Sequence, residues 1–215
     1  MPAATPGVPP GPAPDVPPGV TAGGPDAWRR DWSRDWPAGW QSALLIAVPA
    51  AEPAVAEHRS RLDGSARDGV PAHLTVLYPF LPPALVDDAV LESLGRLFAG
   101  VAAFAFALDR VAWFGEDVVF LGPADPAPFR ALTDLVFAAF PSCPPYGGQH
   151  SEVVPHLTIG DRGGLAALAA AGAAVVPHLP VEAAAAEVIL MAGPPPGDQD
   201  IPPGQWRRLA SFPLG

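Results

Sequence analysis

The 215-residue chain has no lysine. Its twelve cations are all arginine, set against 22 acidic residues, and the formal net charge is −10. A broad electrostatic grip on duplex nucleic acid needs many phosphate-neutralising cations, so duplex binding is excluded as an expectation. A small anionic ligand stays open, because a few local donors hold one in a pocket. There is one cysteine, Cys143, which leaves no partner for an internal disulfide and fits a reducing, cytoplasmic setting. Long apolar runs are missing too. Pro, Gly or a charge interrupts each before bilayer length, and the first residues lack a basic stretch followed by an apolar one. Neither a membrane span nor a secretory leader is expected. The motif G-x-S-x-G is absent, which argues against a Ser-His-Asp hydrolase.

What is present is unevenly spread. Of the residues, 49% are hydrophobic, enough for one domain with a core or two small lobes sharing one. Residues 1–26 are rich in Pro, Gly and Ala and cannot offset their own ordering entropy, so a flexible tail is expected. Tryptophans at 28, 32, 36 and 40 would make one stripe on a helix, ended by Pro37. That segment is expected to dock on the domain or to recruit a protein partner. Residues 1–40 are thus separated from a domain spanning 41–215.

From residue 41 the pattern turns regular. Strands are expected at 42–48, 72–78, 104–108, 118–121, 154–159 and 187–191. Helices are expected at 53–62, 85–98 and 165–176, with another following Asp125 as N-cap and Pro126 as first residue. Each half therefore runs strand, helix, strand, helix, strand, an internal duplication of pattern.

The third element of each half carries the chemistry. "HLTV" covers His73 to Val76, and "HLTI" covers His156 to Ile159; a Val-Pro pair stands just upstream of each. Alternation along a strand puts His73 and Thr75 on one face, roughly 6–7 Å apart, and Leu74 and Val76 on the other. His156, Thr158, Leu157 and Ile159 repeat this. A lone histidine in an apolar strand is usually a hydrogen-bonded core residue, but two copies at equivalent places point to a shared cleft. Imidazole titrates near about 6.5, so one ring can be neutral while the other is protonated. That suits in-line attack on a phosphodiester: one ring takes a proton and the other gives one, each worth about 10²–10⁴-fold in rate. The threonine hydroxyls can donate to non-bridging phosphate oxygens. No metal or other cofactor is expected. Cys143, His150 and His156 match no familiar ligand spacing, and zinc usually takes three or four such ligands.

The tandem motif resembles that of the 2H phosphoesterase superfamily, which includes bacterial 2′-5′ RNA ligases and RNA 2′,3′-cyclic phosphodiesterases. "GVPAHLTVLYPFLPP", "CPPYGG", "VVPHLT" and "FPLG" resemble a 2′-5′ RNA ligase-like branch, over residues 41–215. The resemblance implies a bilobal, pseudo-twofold α+β fold, with two antiparallel sheets lining a central cleft and helices outside. It implies catalytic roles for His73 and His156 and phosphate-holding roles for Thr75 and Thr158. The implied reaction is hydrolysis of a 2′,3′-cyclic phosphate on a small nucleotide or RNA end, or reversible 2′-5′ joining. His156 would then activate water and His73 protonate the leaving 3′ oxygen, with pseudosymmetry leaving the opposite assignment open. Many bacterial members carry arginine where this chain has Asp161; Arg162 next to it, ahead of Gly163-Gly164, is the expected substitute. The alternative is a non-catalytic binder of a nucleotide or phosphorylated metabolite in the same cleft.

Softer candidates remain. Tyr78, Phe80, Trp113 and Phe114 could each stack on a base but fit a core role better; Tyr78 and Tyr146 are carried forward as the stacking candidates. Tyr146-Gly147-Gly148 is either a cleft-closing loop or a turn. His58 is expected to be structural, and His150 and His178 are assigned nothing.

Overall fold

The structure, a computed structural model, describes residues 36–150, 152–195, 202 and 204–215. The expected tail, Trp28 and Trp32 lie outside these residues. In chain order the elements are β1 (Gln41–Ala47), α1 (Glu52–Leu62), α2 (Gly64–Arg67), β2 (His73–Leu77), α3 (Asp88–Ala99), β3 (Phe104–Phe114) and β4 (Val118–Pro123). Then follow α4 (Ala127–Ala139), β5 (Leu157–Gly160), α5 (Leu165–Val175), β6 (Val181–Ala185), β7 (Glu187–Gly193) and β8 (Arg207–Pro213).

Local chemistry explains most of these limits. Asp87 accepts a hydrogen bond from the Val90 N–H at 2.9 Å and starts α3. Leu85 and Val86 therefore fall outside the helix expected to include them, and Leu85 is exposed. Asp125 accepts from the Ala127 N–H at 2.9 Å, so α4 begins just after Pro126. The motif strand expected from Val154 begins only at Leu157. Pro155 has no N–H to give a ladder, and the Val154 carbonyl is taken by the His156 ring at 2.7 Å. Trp36 and Trp40 are not helical; they pack on one another, with the Arg207 guanidinium 4.6 Å from the Trp36 ring centre.

The strands make two antiparallel four-stranded sheets, ordered β2-β1-β7-β8 and β5-β4-β3-β6. The two orders correspond place for place. Each motif strand is an edge strand, and beside it runs the opening strand of its own half. Third in each sheet comes the closing strand of the other half: β7 joins the first sheet and β3 the second. The helices exchange as well, with α1 packing near β5 and α4 near β2.

The central strands β1 and β7 are buried on both faces along almost their whole length; this is why Ser42–Val48 and Glu187–Met191 are continuous apolar runs. Ala43, Leu45, Val70, Ile189, Met191 and Trp206 form a core cluster that Tyr78 borders. Burying each larger side chain contributes about 1.5–3 kcal/mol. Among the described residues no helix is long and apolar enough to cross a membrane.

Candidate active site

Both motif strands carry a bulge at the fourth motif position. On β2, Leu45 pairs with Thr75 and Leu44 with Leu77, so Val76 is the extra residue. On β5, Phe120 pairs with Thr158 and Val119 with Gly160, so Ile159 is the extra residue. A bulge inserts one residue and shifts the alternation of faces beyond it. His73 and Thr75 precede the bulge and keep the face expected of them, partly buried between buried Leu74 and Val76. Beyond it the faces switch, and Tyr78 joins His73 and Thr75 on one cavity wall. Asp161 is the matching residue of the second half, and it lines the cavities on both sides of the site. Unbroken alternation would have turned Tyr78 and Asp161 away from their histidines.

The two imidazoles are held identically. His73 Nδ1 lies 2.8 Å from the Pro71 carbonyl oxygen, and His156 Nδ1 lies 2.7 Å from that of Val154. A carbonyl only accepts, so each Nδ1 carries a hydrogen and donates it. In the neutral ring each Nε2 then carries the lone pair. The upstream "VP" pair thus has a part in the site, since it supplies the local turn whose carbonyl orients the ring.

The environment keeps both rings neutral. Burial pushes the His73 pKa down to about 4, against the raising effect of its bond to Pro71; the Arg59 charge lowers it further, and His156 opposes its protonation. Burial likewise lowers His156, without a contribution from Arg59. Asp63 partly offsets the lowering at both rings. The two motif strands β2 and β5 lie close to one another, and Asp161 lines the cavities of both histidines.

Asp63 and Arg59 are residues the sequence did not flag. Both are buried, with Arg59 Nε donating to Asp63 Oδ2 at 2.8 Å. The Arg59 guanidinium also donates to the Val70 carbonyl, and Asp63 caps α2 through the Ser65 N–H. An Arg–Asp pair four residues apart on a helix reads as a surface pair; only the tertiary packing of α1 reveals it as an interior anchor behind His73.

Asp161 is tied down. Its Oδ1 accepts from the Gly64 N–H at 3.2 Å and from Arg162 Nε at 3.1 Å. Arg162 crosses directly over Gly64, where any Cβ would collide with its guanidinium. Gly163 has φ +94° and leaves room for Leu62, whose side chain would lie 2.7 Å from a Cβ there. Arg162 is thereby held at the mouth of the His73 cavity, which it lines.

The remaining candidates divide. Tyr146 lines the His156 cavity beside Val154 and Thr158. It has a left-handed backbone at φ 51°, and its N–H donates to the Tyr78 carbonyl at 2.6 Å. The loop is thus bonded to the chain just beyond β2 and borders the His156 cavity. Phe114, expected in the core, is 37% exposed; it stacks on Phe120 and meets the His156 ring edge-on at 4.9 Å. Phe80 is buried as expected, and Trp113 is half-buried. His150, assigned nothing, packs against Tyr146 and lines the same cavity. His58 is half-buried on α1 and His178 is exposed. Among the described residues no three His, Cys, Asp or Glu side chains converge as a metal site would require.

Comparison with known proteins agrees with this layout. The family model for the 2′-5′ RNA ligase superfamily matches residues 47–193. No curated protein sequence matches the chain. Among solved structures, TT0787 of Thermus thermophilus is 17% identical with a TM-score of 0.53, covering 81% of this chain and 97% of that one. E. coli LigT complexed with 3′-AMP is 20% identical with a TM-score of 0.49, covering 81% and 97%. A structure described as a phosphoesterase is 20% identical with a TM-score of 0.48, covering 81% and 98%. The likeness to the Thermus thermophilus protein is one of fold. With the family model matching most of the chain, this protein belongs to the 2′-5′ RNA ligase superfamily.

Proposed function

We propose that the chain is a metal-independent phosphodiesterase that opens 2′,3′-cyclic phosphates on small nucleotides or RNA ends, with 2′-5′ joining as the same attack made by a 5′ hydroxyl in place of water. The observation that carries this reading is the paired ring orientation: each motif histidine donates Nδ1–H to the carbonyl two residues earlier. His73 and Thr75 line one cavity, His156 and Thr158 line another, and Asp161 lines both, which supports a phosphate held between the two motifs.

In the proposed step a neutral imidazole removes a proton from water as its oxygen attacks phosphorus. The bond from phosphorus to the 3′ oxygen breaks, and the opposite imidazolium gives that oxygen a proton, leaving a 2′-phosphate. His73 suits the base, because Arg59 adds to burial in keeping it neutral. His156 suits the acid, the reverse of the direction implied by family resemblance. Thr75 and Thr158 donate to the non-bridging oxygens, and Arg162 adds a positive charge as negative charge builds there. An anionic phosphate between the rings raises both pKa values, which supplies the protonated partner.

The test is incubation of the full chain with 2′,3′-cyclic nucleotides in the presence of chelator. Loss of turnover by about 10²-fold or more in both His73→Ala and His156→Ala is expected. Undiminished turnover in either variant would sink the mechanism, and tight nucleotide binding with no product formed would favour the binder instead.

A further inference from the structure

We infer that the cavity on the His73 side of the cleft is a nucleobase pocket selective for a base with two adjacent N–H donors, guanine above uracil. This rests on the phosphoesterase reading and names the substrate class of that site. The cavity has a volume of about 170 Å³, and His73, Thr75, Val70, Tyr78, Trp206 and Asp68 contribute to its lining. It therefore joins the proposed phosphate centre to an apolar, aromatic compartment with a carboxylate.

The aromatic walls are set before any ligand arrives. Trp206 donates Nε1–H to the Pro194 carbonyl at 3.0 Å. It lies against Gly193, where any Cβ would collide with its ring. Tyr78 is tilted 55° to it with ring centres 6.3 Å apart, and its hydroxyl donates to Gln41. Fixed aromatic surfaces stack a base without a further ordering cost.

Asp68 supplies the selectivity. Its N–H donates to the Gly64 carbonyl at 3.1 Å, and its own carbonyl accepts from the Trp206 N–H at 2.9 Å. The same residue thus anchors the indole and adds a carboxylate to the cavity. Asp161 is committed to Gly64 and Arg162, whereas the Asp68 carboxylate has no hydrogen-bond or ion-pair partner among the described residues. A carboxylate only accepts. Guanine offers N1–H and N2–H side by side, matching its two oxygens. Uracil offers carbonyl oxygens on either side of a single N–H, and a carboxylate repels them.

The experiment is calorimetric titration of the full chain with 3′-GMP, 3′-UMP and ribose 5-phosphate, beside turnover of the corresponding 2′,3′-cyclic nucleotides. We expect 3′-GMP to bind about tenfold or more tightly than 3′-UMP, and ribose 5-phosphate to bind most weakly. In Asp68→Ala, 3′-GMP should fall to the level of 3′-UMP. Asp68→Asn, which exchanges one acceptor oxygen for a donor, should also erase the preference. Asp68 is half-exposed, so both variants should fold, as circular dichroism would verify. Equal affinity for the two nucleotides in the unaltered protein overturns the pocket, as does a preference that survives Asp68→Ala. Base discrimination in binding without any turnover supports the pocket while removing the phosphodiesterase reading; turnover indifferent to base does the opposite.

Discussion

At the scale of the residue, the site is governed by what surrounds each imidazole. A histidine whose folded pKa is lowered is neutral where the unfolded chain has already taken up a proton. His73 has a folded value of about 4, against about 6.5 when unfolded. Its contribution is complete above about pH 6.5 and is withdrawn as pH falls toward 4, to a total on the order of 3 kcal/mol. Urea unfolding should show stability declining across that window, and less steeply in His73→Gln; parallel curves would contradict the assignment. The same shifts set the activity profile. Under the proposed mechanism His73 would work as the base once pH exceeds about 4, and His156 would stop working as the acid as pH rises through its value, which burial lowers from the usual imidazole one. A bell-shaped kcat/KM profile with its maximum on the acid side of pH 6.5 is expected. A maximum above pH 7.5 would refute this account.

At the scale of the element, the two bulges matter more than any single side chain. The Val76 carbonyl accepts from the buried Thr133 hydroxyl of α4 at 2.7 Å. A helix of one half thus secures the irregularity in the motif strand of the other. Thr133→Val keeps the shape and removes the donor, leaving a buried acceptor unmet, at a cost of about 1–3 kcal/mol. The urea midpoint should fall accordingly, and kcat/KM should fall with it, because the bulge sets the direction of Tyr78. An unchanged midpoint would show that the bulge needs no such support. The elements were legible from apolar periodicity wherever they were buried: β1, β7, α1, α4 and α5 stand within a few residues of their expected limits. The small elements escaped for physical reasons. β6 is Ala-rich with two exposed positions, β8 alternates weakly around Arg207 and Arg208, and α2 is a single turn held by the Asp63 cap.

At the scale of the whole molecule, the strand exchange makes the two lobes interdependent. The first half of the chain cannot complete its own sheet, since β1 pairs with β7 from the second half. The second half cannot complete its own, since β4 pairs with β3. Unfolding of the full chain should therefore be one cooperative transition, coincident by far-ultraviolet circular dichroism and by tryptophan fluorescence. Residues 41–116 expressed alone should remain unfolded, because β1 would expose an unpaired apolar edge. Two resolved transitions would show that the lobes are independent.

The sequence by itself determined the strand and helix periods, the duplicated pattern and the two H-x-T motifs, because burial and local backbone geometry leave marks in the order of residues. It also placed each histidine and its threonine on a common face, since alternation is a property of one strand. Only the tertiary structure decided which strands pair across the halves, where Val76 and Ile159 bulge, that Arg59 and Asp63 are a buried pair, and that Asp68 and Trp206 line the His73 cavity. Those facts depend on partners distant along the chain, and a register shift or a buried ion pair has no period of its own to read.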